Sequence, residues 1–145
     1  MADLHDPLIL QCIENKRCNM IEIKFRAIEL NGNRRLGFVF GYLVDIATSN
    51  DRNRGWRIVT TFPTAITYTP VDGTTVGQYT GLKDRNGKEI YEGDILRCSK
   101  YLNIYSPVYF YSGCFCTDEA TLSDLLMYRT IEVIGNIYEN TELIS

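Results

Sequence analysis

The feature that most constrains this chain is a period of two: in Ile21-Glu-Ile-Lys-Phe-Arg-Ala27 the apolar Ile21, Ile23, Phe25 and Ala27 alternate with Glu22, Lys24 and Arg26. Successive side chains of an extended strand point to opposite faces, so such a run makes a half-buried strand and not a helix. Asn31-Gly32 turns the chain, and Leu36 to Ile46 is β-branched and aromatic enough for a second strand. Residues 48–55 read as a polar loop, and Trp56 to Phe62 as a third strand that Pro63 ends. A loop through Thr69-Pro70-Val71-Asp72-Gly73 leads on to Asp84-Arg85-Asn86-Gly87, a tight-hairpin signal because Asn and Gly tolerate positive φ. Gly93, between Glu92 and Asp94, punctuates a second reversal ahead of Ile95 and Leu96. Asn86, Gly87 and Gly93 are therefore read as structural turns.

Pro107 to Cys116 returns to strand character, with Tyr109 and Tyr111 on one face and Val108 and Phe110 on the other. A short helix is expected next, capped by Thr117, with Asp118 and Glu119 at its positive end and Leu122, Leu125 and Leu126 as its apolar stripe. Ile131 to Tyr138 reads as the last strand, with Gly135 a bulge or a close-approach point, and Asn140 as the cap of a final helical turn returning Leu143 to the core. The expected fold class is mainly β, β-rich with short helices.

At 145 residues the chain has the length of one domain and no apolar run of the roughly 18 residues that a membrane span needs. The start Met-Ala-Asp-Leu-His-Asp lacks the cationic head of a signal peptide, so the expected location is cytoplasmic, with no membrane partner. Five cysteines leave one unpaired in any disulfide scheme, and reduced thiols are the simpler reading. Cys114-x-Cys116 places two sulfurs on one strand face, but Cys12 and Cys18 stand five residues apart and His5 is the single histidine. That spacing does not match zinc-binding patterns, and neither a metal nor another cofactor is expected.

No nucleophile has an oriented base within a recognisable spacing, and glycine-rich phosphate loops are absent from the sequence, so the chain is not expected to be an enzyme. Glu89, Glu92 and Asp94 form an acidic cluster of the kind that holds a divalent cation or, more simply, solvates turns. Residues 16–57 hold nine Lys and Arg against four Asp and Glu, a local net charge of +5 within an overall −3. Within that stretch Arg52, Arg54, Trp56 and Arg57 combine guanidiniums with an indole, as single-stranded nucleic acid sites do; the rival reading is a solvated loop followed by an inward-pointing Trp56. Tyr101, Tyr105, Tyr109 and Tyr111 offer an amphipathic aromatic surface suited either to a protein interface or to covering a small core.

Four segments, in order, carry a resemblance: Ile23-Lys-Phe-Arg-Ala27, Gly41-Tyr42, Thr75-Val-Gly-Gln-Tyr-Thr-Gly-Leu-Lys-Asp-Arg-Asn-Gly-Lys-Glu-Ile-Tyr-Glu-Gly-Asp-Ile95 and Glu132-Val-Ile-Gly-Asn-Ile-Tyr-Glu-Asn140. They resemble the YopX family of phage and prophage proteins over residues 21–145, leaving 1–20 as an N-terminal extension or the product of a start placed ahead of Met20. The resemblance implies an SH3-like β-barrel element in the C-terminal half packed with an N-terminal β subdomain, an unassigned molecular activity, and homo-oligomerisation with a host or phage protein as a further partner. It supplies no catalytic or ligand residues. Two departures stand out: Ile28-Glu29 replaces the usual Trp-Asp, read as the loss of a surface aromatic, and Thr141 replaces a proline that would preset the last helical turn. The expected function is a non-catalytic interaction or assembly module, with a nucleic-acid-binding accessory protein using residues 52–57 as the alternative.

Overall fold

The computed structural model describes residues 22–46, 55–98, 104–127 and 131–144. The alternating segment forms β1 (Phe25–Asn31), and Gly32 and Asn33 return the chain into the long β2 (Arg34–Ile46). β3 (Gly55–Phe62) lies antiparallel to β2, and a two-residue loop, Pro63 and Thr64, leads into β4 (Ala65–Pro70). β5 (Gly77–Lys83) and β6 (Glu89–Tyr91) complete a six-stranded sheet in the order β4-β3-β2-β1-β5-β6. β7 (Asp94–Cys98), β8 (Ile104–Pro107) and β11 (Ile131–Asn136) form a three-stranded sheet with β7 in the middle, and β9 (Tyr109–Tyr111) pairs with β10 (Cys114–Cys116) as a two-stranded ribbon. Among the described residues the one α-helix is α1 (Leu122–Leu126), no helix is long and apolar enough to cross a membrane, and the fold is mainly β with antiparallel pairing throughout. All three sheets are open.

Two apolar clusters hold these strands together. One gathers Ala27, Ile58 and Val71 with Phe25, Val39, Leu43 and Val76; the other gathers Ile90, Leu96, Val108, Leu122, Leu125, Ile131 and Val133. The first forms because the six-stranded sheet curls: Val71 donates its N–H to the Trp56 carbonyl of β3, while Asp72 donates to the Ile28 carbonyl of β1. The buried Thr75 hydroxyl fixes the following 3-10 turn (Gly73–Thr75) to the same strand, accepting from the Ile28 N–H and donating to the Asp72 carbonyl. That hydroxyl satisfies a buried backbone donor at the place where the β1–β2 register shifts.

Several elements differ from expectation. β4 is a strand that the sequence reading does not contain, and its last residues, Thr69 and Pro70, fall in the expected loop; Ala65 to Pro70 pairs residue for residue with β3. The single strand expected over 107–116 breaks into the end of β8 and the β9–β10 hairpin, since Ser112 and Gly113 both take positive φ and turn the chain. Thr121 caps α1, accepting from the Asp124 N–H, whereas Thr117 bonds to the loop ahead of the helix, so Asp118 and Glu119 lie outside it. Asn140 stands at the N-cap of the last 3-10 turn (Thr141–Leu143) but its side-chain oxygen accepts from the Asn136 N–H instead. Ile28 is buried, so the position read as the loss of a surface aromatic is a core position. The register shift between Val133 and Gly135 places the anticipated bulge in β11.

The turn block is a load-carrying joint for both sheets. Gly87 adopts φ 79° and Gly93 φ 84°, as their turns require. The buried Asp84 carboxylate accepts from the backbone N–H groups of Asn86 and Lys88 inside the turn and of Val133 in β11. Burial opposes ionisation there, but the three amide donors outweigh it and hold the carboxyl below its ordinary value. A carboxyl lowered in the fold stabilises it fully above its unfolded value of about 3.9 and loses that contribution as pH falls through the folded value. Asp84→Asn should therefore cost about 2 kcal/mol at neutral pH, from the loss of charge-assisted bonds, and the gap to wild type should narrow as denaturant titrations are repeated below about pH 4. A gap constant from pH 7 to 2 would contradict the assignment. No atom lies near the position of an added Cβ at Gly87, so Gly87→Val should lose about 1–3 kcal/mol from backbone strain alone. Melting curves check this, and an unchanged midpoint would contradict it.

Candidate interaction surface

The register of β1 against β2 pairs Arg26 with Phe40, which puts Lys24 and Arg26 on one face of the six-stranded sheet. Arg26 is buried and bonds Asp94 of β7 at 2.7 Å. Its guanidinium lies 4.5 Å from the Phe38 ring centroid and 5.0 Å from that of Tyr91, a desolvated cation held between two π faces. The second Asp94 oxygen accepts the Tyr91 N–H at 2.8 Å. Burial pushes the Asp94 carboxyl up from its ordinary value, against the pull of the Arg26 charge and the Tyr91 amide. Gly77 sits where a Cβ would run into the Glu92 carbonyl oxygen, so only glycine lets β5 approach the turn that carries Asp94.

Beside this pair a second one forms nearer the surface. Lys24 bonds Glu89 at 2.7 Å and lies 4.7 Å from the Tyr79 ring centroid, and the Tyr91 hydroxyl donates to Glu89 at 2.9 Å. The acidic cluster read from the sequence is thus divided: Glu89 faces Lys24, Asp94 faces Arg26, and Glu92 offers its backbone carbonyl to Arg26 at 3.4 Å. Two of its carboxylates are already neutralised by cations of the same chain.

On this face one row runs through five strands and through Lys24, the residue just ahead of β1. Tyr91 of β6 stands opposite Tyr79 of β5; the Tyr79 N–H bonds the Lys24 carbonyl; Lys24 continues the β1–β2 register to Tyr42; and Tyr42 pairs with Val59, which pairs with Tyr68 of β4. The row is buried where β7 and its turn cover it and bare at the other end. Tyr42 is 58% exposed, Tyr68 56%, and their neighbours Phe40 47% and Ile66 61%. A groove of about 270 Å³ runs along this end between Lys24, Phe40, Tyr42, Val59 and Phe62. Contiguous exposed aromatic and aliphatic side chains of this kind mark contact surfaces.

The expected site residues are placed differently. Asn86, Gly87 and Gly93 occupy their turns. Trp56 and Arg57 are consecutive in β3 and so point to opposite faces, Trp56 pairing with Asp45 and packing on Gly73, Arg57 sharing the face of Val44 and Pro70. Arg52 and Arg54 lie outside the described residues, as do His5, Cys12, Cys18 and Tyr101. Tyr109 and Tyr111 share a face of the ribbon, with the Tyr109 hydroxyl donating to Asp118, while Tyr105 lies exposed on β8 opposite Arg97. Cys114 and Cys116 donate their thiols to the carbonyls of Tyr111 and Tyr109. Phe40, Tyr42, Ile66 and Tyr68 are surface residues that no motif marks, although the alternation of Ile66 and Tyr68 with threonines signals a strand with one apolar face.

Open antiparallel sheets clamped by a buried ion pair, with an apolar row left bare at one end, define a mainly β chain. The chain belongs to the YopX family, whose family model, described as YopX protein, matches residues 15–145. The crystal structure of protein EF1440 from Enterococcus faecalis is similar to it, with a TM-score of 0.52, 27% identity, and a match covering 87% of this chain and 100% of that one. No curated protein matches the chain.

Removing one member of a buried pair leaves the other charge uncompensated, so Asp94→Leu should cost about 3–5 kcal/mol. Arg26→Met combined with Asp94→Leu should recover a large part of that loss, since no buried charge then remains. Urea titrations of the single and double variants measure the coupling, and strictly additive losses would show that the pair does not act as a unit.

Proposed function

We propose that this chain is a phage- or prophage-derived, non-catalytic assembly module of the cytoplasm that forms homo-oligomers through the bare end of its aromatic row. The observation that carries this reading is the exposed patch of Phe40, Tyr42, Ile66 and Tyr68, continuous across three strands. A second observation supports it. The long segment that carries the family resemblance, residues 75–95, spends its distinctive side chains on structure: Thr75 on Ile28, Gly77 on the Glu92 approach, Asp84 on the turn and β11, Glu89 on Lys24, Asp94 on Arg26. Little remains there for chemistry on a substrate. The SH3-like element is part of the same reading, since β5 to β8 and β11 supply short antiparallel strands around the C-terminal core, though in open sheets. Single-stranded nucleic acid binding would need Trp56 and Arg57 on a common face, and β3 separates them.

Light scattering coupled to size exclusion, at micromolar protein and in both low and high salt, tests the proposal. The expected result is a mass that is a multiple of the 16.6 kDa chain, retained in high salt because apolar contacts carry it, and reduced by Tyr42→Ser. A single-chain mass at every concentration would overturn it.

A further inference from the structure

The direction of the backbone groups along β4 specifies how two copies meet. Val71 donates its N–H to β3 and Asp72 donates to β1, on the opposite side. In an antiparallel strand the amide and carbonyl of each residue point the same way and alternate from one residue to the next. Counting back from Val71, residues Thr69, Thr67 and Ala65 face β3, and Pro70, Tyr68 and Ile66 face away from it. β4 is the last strand of its sheet; just past its end Val71 bridges Glu29 of β1, and among the described strands none pairs with the outer side of the stretch from Ile66 to Tyr68. Pro70 has no N–H to offer, and Pro63 lies in the loop beyond Ala65. The outer edge therefore presents two complete donor and acceptor sets, those of Ile66 and Tyr68.

We infer that β4 pairs antiparallel with β4 of a second copy, about a two-fold axis through Thr67, so that Ile66 bonds Tyr68 of the second copy and Tyr68 bonds its Ile66. This deepens the assembly reading above and rests on it. The two sets that the edge offers are matched in full by the same two sets inverted, which is what an isologous contact requires. Charge points the same way. At a two-fold contact each charge meets its own kind, so complementarity there means neutrality, and Ile58 to Val71 contains no Asp, Glu, Lys or Arg. Exposed edges are ordinarily guarded by lysines, inward charges, bulges or prolines, and between its flanking prolines β4 carries none of these, its register with β3 running unbroken. The pairing also keeps faces in order: Ile66 and Tyr68 of both copies fall on the side of Tyr42 and Val59, so the apolar row runs on into the second copy, while Thr67 meets Thr67 on the other side. Prolines at both ends stop the pairing from sliding.

Two variants test this geometry in the full chain. Tyr68→Pro removes an outward donor and no bond to β3, so it should reduce the light-scattering mass to that of one chain, while Tyr68→Val, which keeps the N–H, should retain the assembled mass. Thr67→Cys should yield a disulfide-linked species of twice the 16.6 kDa chain mass under mild oxidation, because directly opposed, non-hydrogen-bonded antiparallel residues stand about 4.5 Å apart at Cα, within disulfide reach. Wild type, with its five native cysteines, and Thr64→Cys serve as controls and should not cross-link in this way. An assembled wild type whose mass is untouched by Tyr68→Pro, with no cross-link from Thr67→Cys, would overturn the edge pairing while leaving assembly standing. A wild type that is a single chain throughout would overturn both.

Discussion

The contact on which the rest depends is the buried pair of Arg26 and Asp94. It joins the first strand of the N-terminal cluster to the first strand of the C-terminal sheet, and it does so out of water. A guanidinium in that position is tolerable because two aromatic faces and a carboxylate surround it, although its Nε has no hydrogen-bond partner among the described residues. Such a pair adds little net stability compared with a well-packed apolar contact, but it penalises every arrangement that separates its members. Here that selects the angle at which the turn over Gly93 meets β1.

The same logic organises the neighbouring residues. Gly77 lets β5 come close, Tyr91 contributes its amide to Asp94 and its hydroxyl to Glu89, and Lys24 closes the cluster at its rim. Polar groups in this junction are used against one another, which is why a stretch so rich in carboxylates and cations makes no open charged cleft. What the sheet leaves for other molecules is its uncharged end, where the row that begins as core becomes surface without changing its chemistry. An interior-like face that continues past the edge of its cover is the physical basis of the assembly reading.

Local periodicity made much of this fold legible. β1 follows from alternation, β2 from its β-branched and aromatic content, β3 from the polar loop and the proline that bound it, and the hairpin at Asn86 and Gly87 from their tolerance of positive φ. What stayed hidden depends on distant partners. Asp84 looks like a turn residue, and only its bond to Val133, 49 positions away, makes it a joint between sheets. Arg26 looks like the polar half of an amphipathic strand, and nothing local says that its face will be covered by Tyr91 and Asp94. β4 was missed because threonines and flanking prolines mimic a loop, and the helix cap because Thr117 and Thr121 are equivalent until Asp124 chooses between them. The densest run of tyrosines points to β8 and β9, whereas the pairing of β2, β3 and β4 brings Phe40 and Tyr42 of one strand beside Ile66 and Tyr68 of another across Val59.

The connectivity also bears on the order in which the chain can fold. β1 to β4 follow one another as a meander, so each new strand docks on the one just made and closes only a short loop. The C-terminal sheet is different: its central strand β7 waits for β11, which arrives from beyond β8, the ribbon and the helix. Arg26 can find Asp94 only after both steps. A chain emerging from the ribosome would thus expose the bare edge of β4 before the latch that fixes the two halves has formed, and the absence of charge along that edge makes this interval the one in which copies could pair prematurely.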